Sequence, residues 1–148
     1  MRFGGPIFEK FDGPDAWVTI LRKLNFSAAY CPIDAAQPDD AVKAYAKAAA
    51  EADILIAEVG AWSNLIATDE NARKANVEKN IRQLALAERI GARCCVNIVG
   101  SRGQQWNGPH PDNFLQATFD LIVETIRRII DGVKPARASY TLEMMGWG

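Results

Sequence analysis

The run Ala138-Ser139-Tyr140-Thr141-Leu142-Glu143-Met144-Met145 decides the fold, because it has the make-up of a strand and only three residues follow it. Four earlier apolar runs precede it: Met1–Gly5, Ser27–Cys31, Ile54–Ala57 and Cys94–Val99. Ile54-Leu55-Ile56-Ala57 shows no polar alternation, which is how a strand covered on both faces reads.

Segments with helical spacing lie between the runs. Asp12 offers an N-cap and Pro14 a first-turn proline to a helix with Trp17, Ile20, Leu21 and Leu24 on one stripe. Pro38-Asp39-Asp40 opens an alanine-rich helix carrying Val42, Tyr45, Ala46 and Ala49 on one face. A third helix presents Val77, Ile81 and Leu84 and stops at Gly91. The fourth has the clearest period in the chain, Leu115, Phe119, Ile122, Ile126 and Ile129, closed by Asp131-Gly132.

The order β-α-β-α-β-α-β-α-β with right-handed crossovers implies a parallel sheet, which can close in two ways. A doubly wound open sheet usually packs a helix after its fifth strand, and here the chain stops. A (β/α)8 barrel takes about 250 residues, so 148 residues make a little over half of one. The sequence therefore predicts an α/β fold of five parallel strands and four helices, a partial (β/α)8 TIM barrel. Residues 1–148 are expected to form the N-terminal portion of a single barrel, with the C-terminal strands absent.

A composition of 49% hydrophobic and 24% charged residues excludes a disordered or collagen-like chain. Seventeen basic against eighteen acidic residues leave no electrostatic footprint for nucleic acid or an anionic membrane. No apolar run approaches the ~20 residues of a membrane span, and Met1-Arg2-Phe3-Gly4-Gly5 does not begin a signal peptide, so a cytoplasmic protein is expected. Cys31, Cys94, Cys95 and the single His110 are too few, at these spacings, for a Cys/His zinc site. The cysteines read as small buried thiols.

Both closures gather chemistry at the C-terminal ends of the strands. Glu58 follows the third run, Asn97 interrupts the fourth, and Glu143 follows Tyr140-Thr141-Leu142 in the fifth. A carboxylate at the mouth of a buried strand is costly unless it meets a metal, a cation or a substrate hydroxyl, although any one of them could be a solvated rim residue. Trp62, Trp106 and Trp147 lie just beyond strands three, four and five, whereas Trp17 belongs to a core face. Indoles with one wet edge suit the walls of a pocket for a polyhydroxylated ligand, and equally cap the open end of a core. Gly100-Ser101-Arg102-Gly103 lacks a P-loop lysine and the G-x-G-x-x-G pattern, so it reads as a glycine-permitted turn rather than a phosphate loop. His110, held between two prolines, could donate to a substrate or simply lie at the surface.

In order, the segments Phe3-Gly4-Gly5-Pro6-Ile7-Phe8, Tyr30-Cys31-Pro32, Ala57-Glu58-Val59-Gly60-Ala61-Trp62-Ser63-Asn64, Val96-Asn97-Ile98-Val99-Gly100-Ser101-Arg102-Gly103, Gly108-Pro109-His110-Pro111 and Tyr140-Thr141-Leu142-Glu143 resemble the sugar phosphate isomerase/epimerase family, with its xylose-isomerase-like barrel. The resemblance runs over the whole chain and rests on the order and spacing of short motifs. It implies a divalent metal, commonly Mn2+, Mg2+, Co2+ or Zn2+, held by a glutamate of strand five, an aspartate of strand six, a histidine of strand seven and a glutamate of strand eight. Glu143 matches the first, which in the family's epimerases also shuttles a proton beside the carbonyl; the other three ligands have no counterpart.

The resemblance thus implies a fragment of a metal-dependent sugar or sugar phosphate isomerase or epimerase. Glu143 would serve as metal ligand and acid/base, Glu58, Asn97 and His110 would hold substrate hydroxyls, and Trp62, Trp106 and Trp147 would shape the pocket. The 148-residue chain alone is expected to be inactive. Hydrolysis of abasic nucleic acid on the same fold fits poorly with neutral charge and one histidine. The alternative from another class is a non-catalytic flavodoxin-like domain that binds a small ligand or partner. Strand order separates the two, since a barrel arc runs 1-2-3-4-5 while a doubly wound sheet keeps strand one inside. A half-barrel that completes itself by homo-oligomerisation is a third option, because unpaired outer strands invite pairing.

Overall fold

The computed structural model describes residues 1–145. Its elements alternate as β1 (Gly4–Gly5), α1 (Gly13–Lys23), β2 (Ala28–Tyr30), α2 (Asp39–Glu51), β3 (Leu55–Gly60), α3 (Glu70–Ile90), β4 (Cys94–Asn97), α4 (Gln116–Val133) and β5 (Ser139–Leu142). A 3-10 turn, Pro111–Phe114, leads into α4. Every strand pairing is parallel and the sheet order is β1-β2-β3-β4-β5. Consecutive strands lying side by side form an arc of a barrel, so the flavodoxin-like alternative falls. No helix among the described residues is long and apolar enough to cross a membrane.

The core lies between the arc and its helices. Trp17 and Leu21 of α1, Val42, Tyr45 and Ala49 of α2, and Val77, Leu84 and Ala87 of α3 cover Ala29, Ile56, Val59 and Cys95 of the sheet. Trp17 meets Tyr45 edge-on, with ring centroids 5.7 Å apart. β1 is short and closely docked: a Cβ on Gly4 would stand 2.0 Å from the Ala28 carbonyl oxygen, so any other residue there would push β1 off β2.

One irregularity positions the site. Ala29 pairs with Ile56 while Tyr30 pairs with Glu58, which leaves Ala57 as an extra residue in β3. The bulge lets Ile56 and Val59, three positions apart, both bury against the helices. Glu58 consequently turns to the opposite, inner face of the arc. The sequence places Glu58 just after a strand; it lies inside one, because Val59 and Gly60 continue the pairing with Cys95 and Val96.

α3 starts where the Asp69 carboxylate accepts from the Ala72 N–H (2.7 Å) and stops at left-handed Gly91. α4 differs from its sequence pattern. Of the stripe Leu115, Phe119, Ile122, Ile126 and Ile129 only Ile129 is buried, while Phe119 stays 58% exposed. α4 instead buries Thr118 and Thr125. The cause is geometric: β5 is the last strand of the described sheet, so among the described residues no element lies beyond it to cover the rest of the stripe.

Candidate functional site

The inner face of the arc, at the C-terminal ends of β3, β4 and β5, carries the candidate site. Register puts Glu58, Cys94 and Ser139 in one row and Gly60, Val96 and Thr141 in the next. Glu143 continues the alternation of Ser139 and Thr141 just past β5, and its backbone N–H donates to the Asn97 carbonyl (2.8 Å). Glu143 lines a cavity of about 190 Å3 together with Ile98, Gly100, Asn107, Met144 and Met145. Burial pushes the Glu58 carboxyl above the usual carboxylate range, and the charge of Glu143 raises it further.

Trp62 stands beside them. A Cβ on Gly60 would sit 2.4 Å from the indole Nε1, so the ring folds back onto the end of β3, where only glycine leaves room. It remains 43% exposed, an apolar wall with a wet edge.

Asn97 requires a correction. The sequence offers it as a binder of substrate hydroxyls, but it is fully buried. Its Oδ1 accepts from the Ser63 N–H (2.9 Å) and its Nδ2 donates to the Ser63 carbonyl (3.1 Å). Both amide atoms are spent on tying the β3–α3 loop to β4, on the face turned away from the mouth. Asn80 of α3 extends this lock by donating to Ser63 Oγ (2.7 Å) and accepting from the Tyr140 hydroxyl (2.7 Å). Burial pushes the Tyr140 hydroxyl far above its ordinary value, leaving it a donor. Asn64 joins the next loop, donating to the Ser101 carbonyl (2.7 Å) and accepting from the Ser101 N–H (3.1 Å).

His110 and Trp106 lie on the β4–α4 loop and are not among the described residues lining the cavity that holds Glu143. His110 Nδ1 accepts from the Asp112 N–H (3.3 Å) and caps the 3-10 turn. Trp106 is 41% exposed. Trp147 lies outside the described residues. The Gly100–Gly103 turn spends its amides internally, Ser101 N–H on Asn64, Arg102 N–H on Asn113 and Gly103 N–H on Ser101 Oγ. Burial lifts the Cys31 thiol to about 11 and the Cys95 thiol to about 12, which keeps both protonated and unreactive.

Sequence reasoning missed the polar lock built on Ser63, Asn64 and Asn80. A signal was present, since Asn80 and Gln83 interrupt the apolar face of α3 between Val77 and Leu84. Among the described residues no three His, Cys, Asp or Glu side chains come together as metal ligands. Two carboxylates fall short of the several oxygen or imidazole donors a divalent cation needs, so these residues by themselves do not fit a catalytic metal.

No family model matches the chain, and no curated protein matches it in sequence. Its fold is similar to solved structures. A putative xylose isomerase from Rhodospirillum rubrum superposes with a TM-score of 0.68 at 14% identity, over 87% of this chain and 48% of that one. The 3-keto-D-glucoside 4-epimerase of E. coli gives 0.68 at 11% identity, over 99% and 56%. A xylose isomerase-like TIM barrel protein from Mycobacterium smegmatis, in complex with magnesium, gives 0.59 at 18%, over 92% and 49%. The chain has the α/β fold of part of a xylose isomerase-like TIM barrel, and it spans about half the length of these solved chains.

Proposed function

We propose that residues 1–148 are the N-terminal portion of one xylose-isomerase-like barrel, and that the intact protein is a sugar isomerase or epimerase. Glu143 in the wall of the cavity, on the same inner face as Glu58, is the observation that carries this reading. Glu143 takes a proton from the carbon next to the substrate carbonyl and, for isomerisation, returns it to the neighbouring carbon on the same face; inversion at the carbon would need a second acid on the opposite face, supplied from outside the described residues. Glu58 accepts hydrogen bonds from substrate hydroxyls, and Trp62 covers the C–H face of the sugar. The structural likeness to a sugar epimerase supports the substrate class. Three unbridged cysteines fit a reducing, cytoplasmic setting. Metal dependence rests on the resemblance and on a magnesium-bound neighbour, and the donors beyond Glu143 would have to come from outside the described residues.

The test is exchange of substrate carbon-bound hydrogen with solvent deuterium in the natural full-length protein. Glu143→Gln is expected to lower exchange and turnover by about 100-fold or more while the protein stays folded. Unchanged exchange would remove Glu143 from the chemistry.

A further inference from the structure

Resting on that reading, we infer that Asn80 is a positioning residue, which from within α3 fixes the Glu143 end of β5 against the loop that carries Trp62. One polar face of α3 grips that loop. Asn76, Lys79, Asn80 and Gln83 stand at helical spacing. Their side chains donate to the Asn64 carbonyl (2.8 Å), the Trp62 carbonyl (2.9 Å), Ser63 Oγ (2.7 Å) and the Gly60 carbonyl (3.1 Å). Ser63 Oγ donates in turn to the Ala61 carbonyl (2.8 Å), which closes the turn around Trp62.

Asn80 carries the grip onward to β5. Its Oδ1 accepts from the hydroxyl of Tyr140, a strand residue shortly before Glu143, while Nδ2 also donates to the Asn76 carbonyl (2.8 Å). The donors run one way, from Tyr140 to Asn80 to Ser63 to Ala61, so the amide has one orientation that satisfies both of its ends. The ring closes through β4. Asn97 holds the Ser63 backbone with its amide, and its own carbonyl accepts from the Glu143 N–H (2.8 Å). Glu143 and the Trp62 turn are therefore tied together twice, by β4 and through Asn80. Asn80 is fully buried and touches no substrate, so its effect on the chemistry runs through the groups it holds. Proton transfer needs the carboxylate within hydrogen-bond reach of the carbon-bound proton, and a misplacement of about 1 Å can cost about 100-fold in rate.

The test compares single-arm variants of the natural full-length protein on a ketose that it turns over. Tyr140→Phe deletes only the hydroxyl that reaches Asn80, and is expected to lower kcat about tenfold with KM within about twofold of the parent. Lys79→Met frees the Trp62 carbonyl and leaves the Tyr140 bond in place; it is expected to raise KM about threefold with kcat within about twofold. Asn80→Leu should show both effects, and if it does not fold the two single-arm variants decide. Amide hydrogen exchange gives a readout apart from turnover: the Glu143 N–H should exchange about tenfold faster in Tyr140→Phe and at the parent rate in Lys79→Met. Parental kcat in Tyr140→Phe, or losses shared alike between kcat and KM in both variants, would overturn the inference and leave the isomerase reading intact. Full solvent-deuterium exchange in Glu143→Gln would instead sink the isomerase reading. Parental amide exchange at Glu143 in Tyr140→Phe would overturn the positioning whichever way that reading falls.

Discussion

Asn97 and Glu58 lie on adjacent strands and have opposite fates on folding. Asn97 gives up both amide atoms to Ser63 in a fully buried site, so Asn97→Ala strands a buried N–H and a buried carbonyl. The expected cost is about 1–3 kcal/mol, read by urea unfolding, with loosening of the loop that holds Trp62. Stability equal to that of the parent would mean the lock is redundant. Glu58 keeps its carboxylate on the open face, where burial and Glu143 disfavour ionisation. Its folded value lies above its unfolded one, so its stabilising contribution is full in acid and is lost as pH rises through the folded value. Glu58→Gln should therefore match the parent at low pH and gain a small advantage in Tm near neutrality, small because the group is only partly desolvated. A constant offset at every pH would show that ionisation plays no part. Glu58 and Glu143 were legible in the sequence because a charge interrupting an apolar run stands out. The turn of Asn97 away from the mouth was not, because β-strand alternation fixes the two faces only once the bulge at Ala57 is known.

Element by element, α4 shows how far periodicity reaches. Its apolar stripe names a helix and one face, which is correct, but says nothing of what covers that face. Ile129 is fully buried in the core, whereas Phe119 and Leu115 are half exposed on the same stripe. Ile129→Ala is thus expected to cost about 2–5 kcal/mol in the 148-residue chain. Phe119→Ala there should stay within about 0.5 kcal/mol. The contrast is measured by denaturant midpoints of the two variants at unchanged m-value. Equal losses would mean that Phe119 is covered in solution, by a second copy or by another element. Helix positions and the parallel order were readable because capping residues and strand spacing are local signals. The polar faces of α3 were harder, since Asn80 finds its partners on β5 and in a loop far along the chain.

At the scale of the molecule, the arc presents one wall of the candidate site. Its order leaves β1 and β5 as edges, and the inner face between them collects Glu58, Glu143 and Trp62 without a third metal-ligating side chain among the described residues. Tight divalent binding needs several oxygen or nitrogen donors converging within bonding distance, and two mutually repelling carboxylates supply too few. The 148-residue chain is therefore expected to bind Mn2+ only at about millimolar levels or weaker, as read by calorimetry, and to turn over no ketose. Stoichiometric micromolar binding abolished by Glu143→Gln would show that a full ligand set assembles from these residues or from a second copy. The 148-residue chain would then be a functional unit rather than a wall. Weak binding that becomes tight in a protein carrying the remaining strands would place the missing donors there, and would leave Glu143 as this chain's contribution to both the metal and the proton transfer.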